Sequence, residues 1–252
     1  MHNKETAWVT GAGKGLGRAI AKSLAEAGWI VAASSRTQQD LEKLSKECPP
    51  NSIHIFPLDV TDETKTKITF KNIETKLGKL DLAIFNAGTH IPVSVDNFST
   101  EAIKNTIEVN LLGVVYGLGQ VIPRFTEQRK GHIVVVSSLA GYRGIPTSSG
   151  YGATKAALIN MCESLKPELE IYNVKLSLIS PGFVATPLTD KNTFPMPFII
   201  SAELAATIIL RKLKKGTFEI AFPFPMVILM KLFRILPNWL LFLVTRRLIK
   251  KI

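Results

Sequence analysis

Hydrophobic positions along this chain fall into short continuous runs separated by longer stretches with helical spacing. The runs centre on Ala7, Ile30, Ile53, Leu82, Val134 and Leu176. The first extends from Thr6 to Thr10, the second from Trp29 to Ser34, and another leads through Val134-Val135-Val136 into Ser137 and Ser138. Between the first two, Arg18 to Ala27 carries the 3.6-residue period of a helix and stops at Gly28. Strands buried on both faces read as unbroken apolar runs, whereas half-exposed strands alternate. The pattern therefore predicts an α/β fold, a parallel sheet covered by helices on both faces. A length of 252 residues suits one such unit, and no internal repeat or low-complexity linker divides it.

The junction between the first strand and the first helix reads Thr10-Gly11-Ala12-Gly13-Lys14-Gly15-Leu16-Gly17. Glycines at such a turn let the backbone approach a pyrophosphate, and the helix N-terminus offers free N–H groups and a favourable dipole. Strand, glycine-rich turn and helix together are the context of a dinucleotide site. A preference for the cofactor lacking the extra phosphate needs a carboxylate near the end of the second strand. That strand ends Ala-Ala-Ser34-Ser35-Arg36 without one. Arg36 and Lys14 are placed to meet a 2′-phosphate, and an arginine fork matches phosphate geometry. NADP(H) is the expected cofactor ahead of NAD(H).

Further along, Tyr151 and Lys155 stand four residues apart, on one helical face. A lysine ammonium beside a phenol should favour phenolate and pull the tyrosine down from its usual value of about 10. Ser138 lies thirteen residues before the tyrosine, at the carboxyl end of the valine strand, where its hydroxyl could donate to a substrate oxygen.

With these motifs in order, residues 5 to 190 resemble the short-chain dehydrogenase/reductase family. Thr10 to Gly17 match the family's glycine pattern, Asp59-Val60 its adenine-contacting pair, and Asn86-Ala87-Gly88 its Asn-Asn-Ala-Gly segment, with Phe85 in place of the first Asn. Asn110, Ser138, Tyr151 and Lys155 match its catalytic tetrad, and Pro181-Gly182 with Thr186 its nicotinamide-contacting segment. The resemblance implies a Rossmann-type doubly wound sheet and hydride transfer between nicotinamide and a ketone or secondary alcohol. In that reading Tyr151 moves the proton, Lys155 tunes the tyrosine and holds the ribose, and Ser138 polarises the substrate oxygen. Asn110 distorts its helix and holds a relay water. The cofactor would lie against Gly11, Lys14, Gly15, Leu16, Gly17, Ser35, Arg36, Asp59, Val60, Asn86, Ala87, Gly88, Tyr151, Lys155, Pro181, Gly182, Val184 and Thr186. The resemblance also implies a homodimer or homotetramer. His90, Tyr142 and Phe183 are candidate substrate-pocket residues. The alternative is a dinucleotide-binding sensor at a membrane without redox turnover, but such proteins would be expected to lose Tyr151 or Lys155.

Charge divides the chain unevenly. Residues 211–252 hold ten Lys and Arg against one acid, Glu219, leaving 21 basic and 19 acidic residues in 1–210. A near-neutral body argues against nucleic-acid binding. Two cysteines without metal-ligand spacing, Cys48 and Cys162, and a polar N-terminus fit a reduced, cytoplasmic protein with no metal site. The chain is therefore read as a catalytic unit, 1–210, with an apolar and basic extension, 211–252. From Met226 the extension admits three readings. A membrane span is opposed by Lys231 and Arg234, at about 2.5–3.5 kcal/mol each, and by Pro237 and Asn238. Two amphipathic helices split at Pro237 could lie on an anionic membrane, with Lys231, Arg234, Asn238 and Thr245 on one stripe and Arg246, Arg247, Lys250 and Lys251 at the end. Alternatively the apolar face packs on the body, covering a subunit interface or closing a pocket that the short segment from Pro187 to Ser201 leaves open.

Overall fold

The structure is a computed structural model that describes residues 4–190 and 195–249. Lys250 and Lys251 of the basic cluster, and part of the segment after Pro187, lie outside these residues. The six expected strands form at β1 (Thr6–Thr10), β2 (Ile30–Ser34), β3 (Ile53–Ile55), β4 (Leu82–Phe85), β5 (His132–Val136) and β6 (Lys175–Pro181). They alternate with α1 (Gly15–Glu26), α2 (Gln38–Lys46), α3 (Glu63–Leu77), α4 (Thr100–Ile107), α5 (Gly113–Gln128) and α6 (Ser149–Ile171). Two short strands, β7 (Val184–Ala185) and β8 (Ile200–Ser201), pair with each other and lead into α7 (Ala202–Lys214). A further strand, β9 (Glu219–Phe222), is followed by α8 (Phe224–Ile235) and α9 (Asn238–Thr245).

The main sheet is parallel throughout, in the order β3-β2-β1-β4-β5-β6-β9. Its strands are buried on both faces, as their unbroken apolar runs require. On one face Ile20 and Leu24 of α1 and Ile209 of α7 close a layer; on the other Trp8 and Phe85 meet Phe70, Phe125 and Leu158. Trp8 stacks edge-on against Phe85 at 5.7 Å, and its indole N–H donates to Ser34 Oγ at 3.0 Å, so even this buried polar group is paired.

The boundary drawn at residue 210 is corrected by this arrangement. Position 210 falls inside α7, and β9 supplies a seventh strand to the same sheet through Ile179↔Ile220 and Ser180↔Ala221 pairing. Four residues between a basic helix end and an apolar helix carry too little pattern to read as a strand. After β9, α8 and α9 pack on the body through Met230, Leu241 and Thr245.

The strand order reverses between β1 and β4, where their connections leave to opposite sides. A crevice opens at the carboxyl ends of strands at such a point. The two halves of the sequence motif set meet there.

Candidate active site

The floor of the crevice is the glycine turn. The Thr10 hydroxyl accepts from the backbone N–H of Asn86 at 3.0 Å and of Ala87 at 3.2 Å, while Asn86 Nδ2 donates to the Thr10 carbonyl at 3.1 Å. These bonds clamp the ends of β1 and β4 together and leave no room for side chains. A Cβ on Gly17 would stand 2.3 Å from both Asn86 Nδ2 and the Gly11 carbonyl oxygen, and Gly11 itself takes φ +68°. Gly17 thus lies behind the turn and allows the close approach, while Gly11, Lys14, Gly15 and Leu16 line the cleft. Gly15 packs against Thr186, whose N–H donates to Thr189 Oγ1 at 3.0 Å.

The cleft has a volume of about 570 Å³, the size of a cofactor and small-ligand pocket. Ser35, Arg36, Asp59, Val60, Asn86, Ala87 and Gly88 line one end. Ser138, Tyr151, Lys155, Pro181, Gly182, Val184 and Thr186 line the other. A row of backbone that glycine keeps bare, next to the free end of α1, fits a dinucleotide pyrophosphate.

The carboxyl ends of β5 and β6 and the first turns of α6 gather the polar trio. Ser138 Oγ accepts from the Ala140 N–H at 3.1 Å, donates to the Pro181 carbonyl at 3.4 Å, and lies near enough to the Tyr151 hydroxyl to favour its ionised form. Lys155 is buried and donates from Nζ to the Val136 carbonyl at 2.8 Å, with Nζ 5.6 Å from the Tyr151 ring centroid. His90 stands edge-on to the tyrosine ring at 4.9 Å.

The electrostatics differ from the expectation for the free phenol. Burial raises the Tyr151 pKa, and the Ser138 hydrogen bond only opposes this. Burial also brings Lys155 down to about 8. Lys155 Nζ is turned to the Val136 carbonyl, 5.6 Å from the phenol ring centroid, and burial sets the direction of the Tyr151 shift.

Asn110 does not line the cleft. It sits in a π-helical turn, Glu108–Leu112, between α4 and α5, which is the local helix distortion expected of it. Its side chain accepts from Thr89 N–H at 2.7 Å and donates to the Thr89 carbonyl at 2.9 Å and to Thr154 Oγ1 at 3.3 Å. Both amide hydrogens are thereby committed, and the side chain fastens the loop after β4 to α6.

Several cleft residues carry no motif. Asp40, in the first turn of α2, lines the ribose end and pairs with Lys14 at 3.4 Å. The lysine expected at a 2′-phosphate thus already faces a carboxylate, whereas Arg36 has no ion pair among the described residues. At the opposite end Met226 and Met230 of α8 complete the wall beside Leu139, Ile145 and Phe183. Of the candidate pocket residues, His90 and Phe183 line the cleft. Tyr142 lies outside it, with its hydroxyl on Glu219 and its ring beneath Arg234.

The chain matches the short chain dehydrogenase family over residues 5–195. An uncharacterized oxidoreductase of Myxococcus xanthus (strain DK1622) is 36% identical over 245 residues, 96% of this chain and 97% of that protein. An uncharacterized oxidoreductase of Staphylococcus aureus (strain MW2) is 33% identical over 181 residues, 72% of this chain and 78% of its own length. Among solved structures, a short chain dehydrogenase/reductase from Burkholderia phymatum in complex with NAD superposes with a TM-score of 0.84 at 22% identity, covering 91% of this chain and 92% of that one. An alcohol dehydrogenase from the archaeon Thermococcus sibiricus, complexed with 5-hydroxy-NADP, gives 0.78 at 27% identity, covering 87% and 95%. A parallel seven-stranded sheet, a bare-backbone turn at its switch point and a match across three quarters of the sequence have one reading: the chain belongs to the short-chain dehydrogenase family and is an oxidoreductase.

Proposed function

We propose that this protein reduces an apolar ketone to a secondary alcohol using NADPH. The observation that carries the reading is the convergence of Ser138, Tyr151 and Lys155 at one end of a cleft whose other end is the glycine turn. The bound reduced nicotinamide supplies the hydride to the carbonyl carbon. The Tyr151 hydroxyl gives its proton to the carbonyl oxygen, completing the alcohol. Its raised pKa keeps it protonated at neutral pH, the form that a proton donor needs. Ser138 donates to the same oxygen and holds it beside the phenol. Lys155, able to lose a proton near pH 8, returns one to the tyrosine and would hold the nicotinamide ribose. Asn110 fixes Thr89 and Thr154, and so the spacing between the loop after β4 and α6. Met226, Met230 and Phe183 give the substrate end an apolar wall.

Arg36 supports the choice of NADPH, as a guanidinium beyond the carboxyl end of β2 that has no ion pair among the described residues. Asp40 acts the other way but is matched by Lys14. Fluorescence titration should show tighter binding of NADPH than of NADH, and Arg36→Ala should weaken NADPH roughly tenfold while leaving NADH unchanged. Tyr151→Phe should lower turnover of the best ketone in a panel by about 10²–10⁴-fold without weakening NADPH binding. Cofactor binding with no Tyr151-dependent turnover of any ketone would replace the enzyme with a dinucleotide sensor.

A further inference from the structure

Helix α8 has three faces, each turned to a different environment. Met226 and Met230 line the cleft, and Phe233 packs with them on the core. A polar stripe reaches back to the body: Lys231 pairs with Glu219 at 2.8 Å, and Arg234 lies over the Tyr142 ring. Beyond the turn, Asn238 accepts from Arg143, and Thr245 of α9 is buried. The third face is apolar and bare. Phe224 is 75% exposed, Ile235 77% and Trp239 70%, with Ile228, Leu232 and Phe242 exposed beside them. Half of the large apolar side chains exposed among the described residues follow Pro223. The helix thus keeps one apolar face on the body, and its exposed polar side chains reach back to Glu219 and Tyr142 beside a second apolar face left in the open.

An apolar surface of this kind marks an interaction site. We propose that α8 and α9 dock the protein on an anionic membrane surface, so that the methionine wall of the cleft stands next to lipid. Charge selects the occupant. Between Phe224 and Ile249 stand four basic side chains, Lys231, Arg234, Arg246 and Arg247, and no acid; the nearest acid in sequence, Glu219, is already bonded to Lys231 and Tyr142. Arg246 and Arg247 are exposed where α9 ends. A second copy seated on the same face would bring two such basic segments together, since a two-fold interface joins identical patches. Anionic headgroups complement them instead, and Trp239 suits the headgroup boundary. The helices lie on the bilayer and do not cross it. At 1.5 Å per residue α8 is about 18 Å long and α9 about 12 Å, against a hydrocarbon core of about 30 Å. The proposal takes from the oxidoreductase reading only the nature of what enters, a ketone dissolved in lipid.

Flotation of the full-length protein tests this with vesicles of phosphatidylcholine alone or mixed with phosphatidylglycerol. The protein should float with the anionic vesicles, roughly tenfold more strongly than with neutral ones, and less so in high salt. Combined Ile228→Ser, Leu232→Ser and Trp239→Ser should abolish flotation while cofactor binding and thermal unfolding stay as in the parent. Arg246→Gln with Arg247→Gln should weaken it roughly tenfold. Tyr151→Phe should float like the parent; flotation intact with no Tyr151-dependent turnover of any ketone would sink the oxidoreductase reading alone. Three results would overturn the docking proposal: no flotation with either vesicle, equal flotation of the serine variant, or a parent dimer that the serine variant dissociates in the absence of any lipid binding.

Discussion

The two ends of the cleft are built from opposite kinds of contact. At the dinucleotide end the wall is glycine backbone: Gly11 and Gly15 line the cleft and Gly17 backs it, packed against Asn86, Ala87 and Thr186 at distances that leave a Cβ tight or without room. At the substrate end the walls are flexible apolar side chains, Met226 and Met230, delivered by a helix that follows the last strand of the sheet. Backbone approach admits one residue type at each position, so it leaves a fixed motif. A methionine wall admits any apolar residue of similar volume. The first end therefore sets what every member of such a fold shares, and the second leaves room for a substrate of its own.

The largest expected effect breaks the backbone end. Gly17→Ala would place a methyl group 2.3 Å from Asn86 Nδ2 and the Gly11 oxygen, and should cost about 3 kcal/mol in urea unfolding and abolish dinucleotide binding. Gly119→Ala in α5 meets nothing within 4 Å and should stabilise by up to about 1 kcal/mol. If Gly17→Ala behaved like Gly119→Ala, the claim of a backbone-walled site would fail.

The next effect concerns the point where the two ends join. Lys155 has a pKa near 8 in the folded protein against 10.5 ordinarily, because burial disfavours its charge. Between these values the unfolded chain holds a proton that the folded one lacks, so this group's contribution to stability rises with pH across that window. Burial of the charged lysine therefore disfavours folding below pH 8, and the penalty is relieved by pH 10.5. Lys155→Met lacks this dependence. Any stability advantage of the variant should shrink by about 3 kcal/mol from pH 8 to pH 10.5, as read by parallel denaturant titrations. A constant difference would mean that the amine is solvated.

The smallest effect sharpens the apolar end. Met230 is buried, and Met230→Ala should cost about 2 kcal/mol of stability. It should also raise KM for ketones that reach the wall, with little change for acetone-sized ones. Equal KM changes for both would place Met230 outside the substrate path.

The sequence alone determined the alternation of six strands with helices, the glycine turn, and the spacing of Ser138, Tyr151 and Lys155. Each is a local property, a period or a residue type that backbone geometry demands within a few positions. The distortion around Asn110 was also legible, although the partners of its amide were not, since Thr89 and Thr154 are distant in sequence. Tertiary structure decided the rest. Asp40 enters the ribose end because α2 turns back over the glycine loop and pairs it with Lys14. Glu219–Phe222 becomes a strand because β6 offers an unpaired edge, which outweighs a weak local pattern. The orientation of α8 depends on Glu219, Tyr142 and the cleft at once. A helix apolar on most sides has no preferred inward face of its own, so its packing partners choose which side meets the core and which is left outward.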